Sequence, residues 1–185
     1  MSSNSPIEVP HLYLDTAILI DVLRNRRTAS TRLLEEARQK AWLISTSQFA
    51  VMELFDVEQD DRFFILEVTK GRTVASVLRE RYRRNLDENE RKGIENRVKD
   101  FLYIRYPFIQ YFHLTADGFN MASGLCAKTN LSAPDCLHLT TALEARSDIL
   151  VTTDDHFLGE AKAYIEACTP EQIHEALKRL KFNLI

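Results

Sequence analysis

At 185 residues, with 45% of positions hydrophobic, the chain is long enough for one domain with a substantial core and short for two. No apolar run approaches the roughly 20 residues that cross a bilayer, and the MSSNSPIEVP opening lacks the apolar centre of a signal peptide, so a soluble cytoplasmic protein without a membrane partner is expected. The net charge of −3 by itself suggests no polyanion partner. However, Lys70 to Arg105 carries 11 Lys and Arg against 6 Asp and Glu, while the rest of the chain carries 13 against 21. A basic middle segment on an acidic body can attract nucleic acid locally.

In chain order, HLYLD (residues 11–15) alternates and ends in an acid. TAILIDVLRN then has helical spacing at Ile18 and Val22 and at Leu19 and Leu23. A buried strand running into a helix follows, with Asp15 at the strand's carboxyl end, where open α/β sheets place their ligands. TASTRLLEEARQK predicts a second helix opened by a Thr/Ser cap, and AWLISTS a second strand parallel to the first. SQFAVMELFDVEQ predicts a helix capped near Ser45 to Ser47, which puts Glu53 in its second turn, near the sheet edge.

Residues 58–105 are polar and helical in pattern, with Val74, Leu78, Tyr82 and Leu86 in one row and Ile94, Val98, Phe101 and Leu102 in another. NLDEN divides them, and Asp87 with Glu90 matches a capping box, so a helical hairpin is expected. Four acid-then-base pairs, Glu80/Arg84, Asp87/Arg91, Glu88/Lys92 and Glu95/Lys99, suit solvated helix faces.

IQYFHLT predicts strand three and ADGFNMASGLCAKTN a helix ended by Asn130. Ser132 and Pro134 open the helix of LHLTTALEARS, ILVTT is strand four with Asp154 at its end, and KAYIEAC is a candidate edge strand five. Thr169, Pro170 and Gln172 sign a final helix. With no repeats, linkers or low-complexity tracts, residues 1–185 are expected to form one α/β domain. It would be a three-layer α/β/α fold with a mainly parallel sheet of four to five strands and a helical hairpin insertion over about 58–105. The three cysteines, Cys126, Cys136 and Cys168, are odd in number and never spaced as C-x-x-C. Neither a disulfide framework nor a zinc ribbon is indicated, and buried thiols are expected.

Four acids, Asp15, Glu53, Asp135 and Asp154, fall near the carboxyl ends of parallel strands or the starts of the helices that follow them. Singly, each has a plain structural explanation: Asp15 and Asp154 as helix N-caps, Asp135 as a first-turn dipole partner, Glu53 as a surface charge. Together in one cleft, such like charges require a cation. Their hard oxygen donors suit Mg²⁺, with Mn²⁺ the alternative, and no Cys/His set favours zinc. A divalent metal held this way supports phosphodiester hydrolysis.

The segments DTAILIDVL around Asp15, STSQFAVMEL around Glu53, APDCLHLTTALEA around Asp135 and VTTDDHF around Asp154 occur in this order. The set resembles the PIN-domain ribonuclease family, most closely its VapC-type toxins of toxin-antitoxin pairs. The resemblance implies a metal-dependent endoribonuclease with Asp15, Glu53, Asp135 and Asp154 as catalytic metal ligands. It also implies an RNA substrate, a cognate antitoxin and a homodimer. The basic helical stretch after Glu53 is longer than expected for a compact member. Arg79, Arg81, Arg83 and Arg84 are its candidate phosphate contacts, although partner contact is the favoured use. A catalytically silent PIN-like module acting through this insertion is the alternative function.

Accessory candidates are Asp155, beside Asp154; His138, one turn after Asp135 and able to touch substrate or a metal-bound water; and Asp117, at a strand end but equally a helix cap. Thr152, Thr153, Thr16 and Ser47 are candidate partners of the carboxylates or of phosphate. Trp42, Phe63, Phe64, Tyr82, Tyr103 and Tyr106 are candidate base-stacking residues, with packing the plainer role for most.

Overall fold

The computed structural model describes residues 9–182. In chain order the elements are β1 (His11–Leu14), α1 (Thr16–Leu23), α2 (Thr28–Gln39), β2 (Leu43–Ser47), α3 (Gln48–Thr69), α4 (Val74–Glu80), α5 (Glu88–Lys99), β3 (Ile109–Phe112), α6 (Ala116–Lys128), α7 (Ala133–Glu144), β4 (Ile149–Val151), α8 (Asp155–Ala161), β5 (Glu166–Cys168) and α9 (Ile173–Arg179). They divide into two compact units. One holds the described residues through Ala50 and from Phe108 onward, and the other is Val51–Pro107.

The first unit is built on a five-stranded parallel sheet of order β3-β2-β1-β4-β5, flanked by helices as a three-layer α/β/α fold. Leu12, Tyr13 and Leu14 of β1 and all of β4 are buried, as strands covered on both faces must be. The strand order reverses between β1 and β4: the chain steps outward from β1 to β2 and β3, then returns to pair β4 on the opposite side of β1. Such a reversal opens a crevice at the carboxyl ends of the two strands. The register pairs Leu14 with Val151, so Asp15 and Thr152 are the first residues beyond that pair.

Local chemistry sets most of the helix starts. Ser47 Oγ accepts the Ala50 N–H at 2.9 Å, opening α3 where the Ser-rich segment predicts it. Ser132 and Asp135 form a reciprocal capping box on α7, and Thr169 and Gln172 form another at the 3₁₀ turn that leads into α9. The Thr/Ser run of α2 behaves differently: Arg27 stands at its cap position without a side-chain cap, and Ser30 donates instead to Asp21 Oδ2 at 3.2 Å. Helix α8 was not expected from the sequence, because seven residues carry too little periodicity to announce themselves.

In the second unit α3 runs on to Thr69, ten residues past the predicted stretch, because no breaker intervenes before Gly71, which turns the chain at φ +86°. Asp87 caps α5 through the Glu90 N–H, as the capping-box pattern predicts. Ile94, Val98, Phe101 and Leu102 are buried as one row, the last two in a π-helical turn over Asp100–Arg105. The other row is reversed. Helix α4 buries Val77 and leaves Val74, Leu78 and Tyr82 exposed, with only Leu86 of that row inward. Of the expected helix pairs, Lys99 meets Glu95 at 2.5 Å, but Arg84 turns to Asp56 and Asp60 on α3 and Glu80 pairs with Arg72. Long-range ion pairs join α3 to α5: Arg62 with Glu90, and Arg97 with the buried Glu58.

Candidate active site

The reversal in strand order makes the β1–α1 junction the natural starting point. The Asp15 N–H donates to the Val151 carbonyl at 3.0 Å, extending the β1–β4 pairing by one residue. Asp15 then occupies the N-cap position of α1 without capping it. Its side chain turns sideways, and Oδ2 accepts the Thr152 hydroxyl at 2.7 Å. The residue is only 7% exposed. A carboxylate taken out of water at this position carries a desolvation cost that a cation or donor groups must offset.

Thr152 serves a second acid as well. Its Oγ1 accepts the Asp154 N–H at 3.1 Å, so one hydroxyl links the Asp154 backbone to the Asp15 carboxylate. Asp154 is exposed and caps α8, its Oδ1 accepting the His156 and Phe157 N–H groups at 2.9 Å each. Asp135, half-buried in the first turn of α7, uses Oδ2 for the Ser132 N–H at 3.1 Å and the Ser132 hydroxyl at 2.7 Å. These bonds engage one carboxylate oxygen of each residue.

A histidine not singled out from the sequence, His156, donates its backbone N–H to Asp154 and turns its ring toward Asn130. His156 Nε2 lies 3.0 Å from the Asn130 carbonyl, and that contact holds the imidazole pKa above its usual value, with further support from Glu160, Asp154 and Asp135. Its signal was present in VTTDDHF, directly after the acid pair. Asp155 is the first residue of α8 and exposed, and Asp117 is exposed in the first turn of α6, beside the Thr115 cap. Glu53 is half-buried in the second turn of α3 and belongs to the second unit.

His138 proves to be a buried residue. At 1% exposure it does not reach substrate from solvent; its Nε2 lies 3.7 Å from Asp15 Oδ1 and 3.1 Å from Thr16 Oγ1. Its Nδ1 faces Tyr13 Oη at 2.7 Å and Ser47 Oγ at 3.4 Å. Tyr13 was also missed from the sequence, where it reads as an ordinary strand residue.

The arrangement offers carboxylate oxygens, the donor type for a hard divalent cation. Among the described residues, no three His, Cys, Asp or Glu side chains are grouped as ligands of a metal ion. Cys136 and Cys168 contribute no reactive centre: burial pushes their thiols up to about 12. Cys126, against expectation, is exposed, since it lies on the solvent side of Leu125 in α6.

Within the second unit, Arg79, Arg81 and Arg83 are exposed, and the Arg83 guanidinium lies over the Tyr82 ring at 5.4 Å. Arg84, bound to Asp56 and Asp60, is withdrawn from the set of candidate phosphate contacts. Trp42, Phe63 and Tyr106 are buried, which assigns them to packing, whereas Tyr82 and Tyr103 are exposed.

No curated protein is similar enough in sequence to match the chain. A crystal structure of VapBC2 from Rickettsia felis bound to a DNA fragment from their promoter contains a chain of like fold. The TM-score is 0.54 at 14% identity, covering 85% of this chain and 97% of that one. No helix among the described residues is long and apolar enough to cross a membrane. The family model of the PIN domain matches residues 12–160, more than half of the sequence, from within β1 to within α8. The chain belongs to the PIN domain family.

Proposed function

We propose that this protein is a metal-dependent endoribonuclease and the toxin of a toxin-antitoxin pair. Its acidic ligands would be Asp15, Glu53, Asp135 and Asp154, on a single catalytic domain with a helical insertion over about 58–105. The observation that carries this reading is Asp15: a buried carboxylate at the reversal in strand order, at a helix cap position it does not use, held instead by Thr152. Asp15, Asp135 and Asp154 fit a hard cation by donor chemistry, and Glu53 is the fourth donor of the family pattern. Mg²⁺ or Mn²⁺ bound there would polarise the phosphodiester and lower the pKa of an attacking water.

The protein's own groups would do the rest. Thr152 fixes one Asp15 oxygen, and Asp154 presents its carboxylate from the N-cap of a helix whose N–H groups already hold its other oxygen. His156 sits beside Asp135 and Asp154 with its affinity for a proton raised, which suits contact with a phosphate oxygen.

The fold likeness to a chain of the VapBC2 assembly supports an antitoxin partner, and a cytoplasmic homodimer fits the same reading. The test is cleavage of labelled RNA by the purified chain with Mg²⁺, with Mn²⁺ and with EDTA, alongside the Asp15→Asn and Asp154→Asn variants. Cleavage that depends on the metal and on both acids is expected. Full cleavage in EDTA, or in both variants, would sink the proposal. RNA or partner binding without metal affinity would place the chain among silent binding modules.

A further inference from the structure

The Val51–Pro107 unit carries an open apolar groove of its own. Helices α3 and α4 are joined by the turn at Gly71, and residues of both line a cleft of about 180 Å³. Among the lining residues Phe63 and Val77 are buried, Val57 and Phe64 are half-buried, and Leu78 is 51% exposed. Val57 and Phe64 stand seven positions apart on α3, two turns along one face of the helix. Val74, one turn before Leu78, is 51% exposed, and Tyr82, one turn after it, is 71% exposed. A row of large apolar side chains beside an apolar cleft marks a contact surface rather than scattered exposure.

The charges around the cleft differ in how they are engaged. Asp60, an acid of the lining, is taken by Arg84 at 3.2 Å, and Arg84 takes Asp56 as well. Arg72 takes Glu67 and Glu80, and Arg97 takes Glu58. Arg81 also lines the cleft, with Arg79 and Arg83 two positions to either side, all three exposed. Among the described residues none of these three forms an ion pair with a carboxylate. Even with Asp61 in the lining, this end of the cleft keeps a positive excess.

Three kinds of occupant meet these features differently. An RNA strand would use the arginines and leave the apolar cleft in water. A second copy related by a two-fold axis would bring the same arginines to the interface from both sides, with the neighbouring acids already engaged. A helix with an apolar stripe and acidic flanks uses both features, its stripe in the cleft and its acids on the arginines. We propose that the α3–α4 groove docks an acidic amphipathic helix of a protein partner, with Leu78 and its row as the apolar contact and Arg79, Arg81 and Arg83 as the charged rim. The surface lies within one unit, and the proposal goes beyond the nuclease reading without depending on it.

The test is fluorescence anisotropy of the full chain with a labelled synthetic helix of about 18 residues, leucine along one stripe and glutamate elsewhere. Saturable binding is expected, and none to a peptide with lysine in place of every glutamate. Leu78→Asp should weaken binding by about 30-fold or more, the scale of a central contact residue. The triple variant Arg79→Gln, Arg81→Gln, Arg83→Gln should weaken it by about 10-fold and flatten its dependence on salt. Phe119→Asp, at a site 60% exposed on α6 of the other unit, should bind as the unsubstituted chain does. All these side chains lie at the surface, so thermal midpoints should stay together; if Leu78→Asp unfolds, the arginine variant decides. No binding of the glutamate peptide, equal binding of the lysine peptide, or binding untouched by Leu78→Asp and by the arginine triple overturns the proposal. So does a dimer of the unsubstituted chain that Leu78→Asp separates, which would give the groove to a second copy. Binding of a single-stranded RNA oligonucleotide that falls alike in both variants would give it to RNA and overturn the proposal too.

Discussion

The two ends of the parallel sheet each gather an acid, a histidine and hydroxyl side chains, and they use them differently. At the amino end, the His11 N–H donates to Asp148 Oδ2 and the Asp148 N–H donates to the His11 carbonyl, both at 2.8 Å. The His11 ring then meets Ser45 Oγ at 2.8 Å. Asp148 thus closes backbone that would otherwise end unpaired between β1 and β4. At the carboxyl end, Asp15 has the helix N–H groups of α1 within a cap's reach, leaves them, and is held by the side chain of Thr152. Like residue types therefore serve architecture at one end and, on the proposed reading, chemistry at the other. What separates them is whether the carboxylate is committed to backbone donors. Asp154 and Asp135 fall between these extremes, because each caps a helix through one oxygen.

The sharpest way to break this contrast is Asp15→Asn. The amide oxygen can still accept from Thr152, so the thermal midpoint should stay close to that of the unsubstituted chain. Cleavage of RNA should fall by more than the about 100-fold typical of losing a ligand's partner. A large drop in midpoint with cleavage retained would make Asp15 structural after all.

Asp154 tests the intermediate case. Asn is as good an N-cap as Asp, whereas Ala removes the acceptor at a cost of about 1 kcal/mol. Asp154→Asn should therefore lose activity at unchanged stability, and Asp154→Ala should lose both, as seen by parallel cleavage assays and urea titrations. Equal midpoints in the two variants would show that the cap contributes nothing.

At the amino end, Asp148→Ala should cost about 1.5–3 kcal/mol, the range for losing a hydrogen bond to a charged group. Cleavage per folded molecule should be unaltered. Loss of activity without loss of stability would contradict its architectural role.

The smallest effect is pH-dependent. Burial lowers the His11 pKa below its ordinary 6.5, against the pull of Asp148 and the Arg146 carbonyl. Between the folded and unfolded values, the unfolded chain binds the extra proton, so stability rises with pH there and is lost as pH falls from about 6.5 toward the lowered folded value. Urea midpoints between pH 7.5 and 5.5 should show this decline in the unsubstituted chain and a shallower one in His11→Gln. Parallel declines would remove His11 from the account.

Much of this architecture was legible in the sequence because local physics writes it there. The apolar β-branched run ILV in β4, the Ser132 and Thr169 caps and the acids that follow β1 and β4 come from side-chain period and capping chemistry, which act within four residues. Helix α8 was not legible, since its seven residues are specified mainly by Phe157 and Leu158 entering the core. The row Val74, Leu78 and Tyr82 carried a clean helical period yet faces outward, because periodicity states that a helix has an apolar face and not what covers it.

The same division runs through the candidate site. The residue types and their order, Asp15, Glu53, Asp135 and Asp154, were determined by the sequence itself, as was each acid's place beside a strand end or helix start. Only the tertiary structure decided that Asp15 forgoes its cap while Asp154 takes one, that Thr152 joins them, and that Tyr13 and His138 meet across 125 positions of chain. The physical reason is range. Capping and periodicity are contests among neighbours along the chain, whereas the orientation of a buried carboxylate is set by donors that arrive from other strands and helices once water has been excluded.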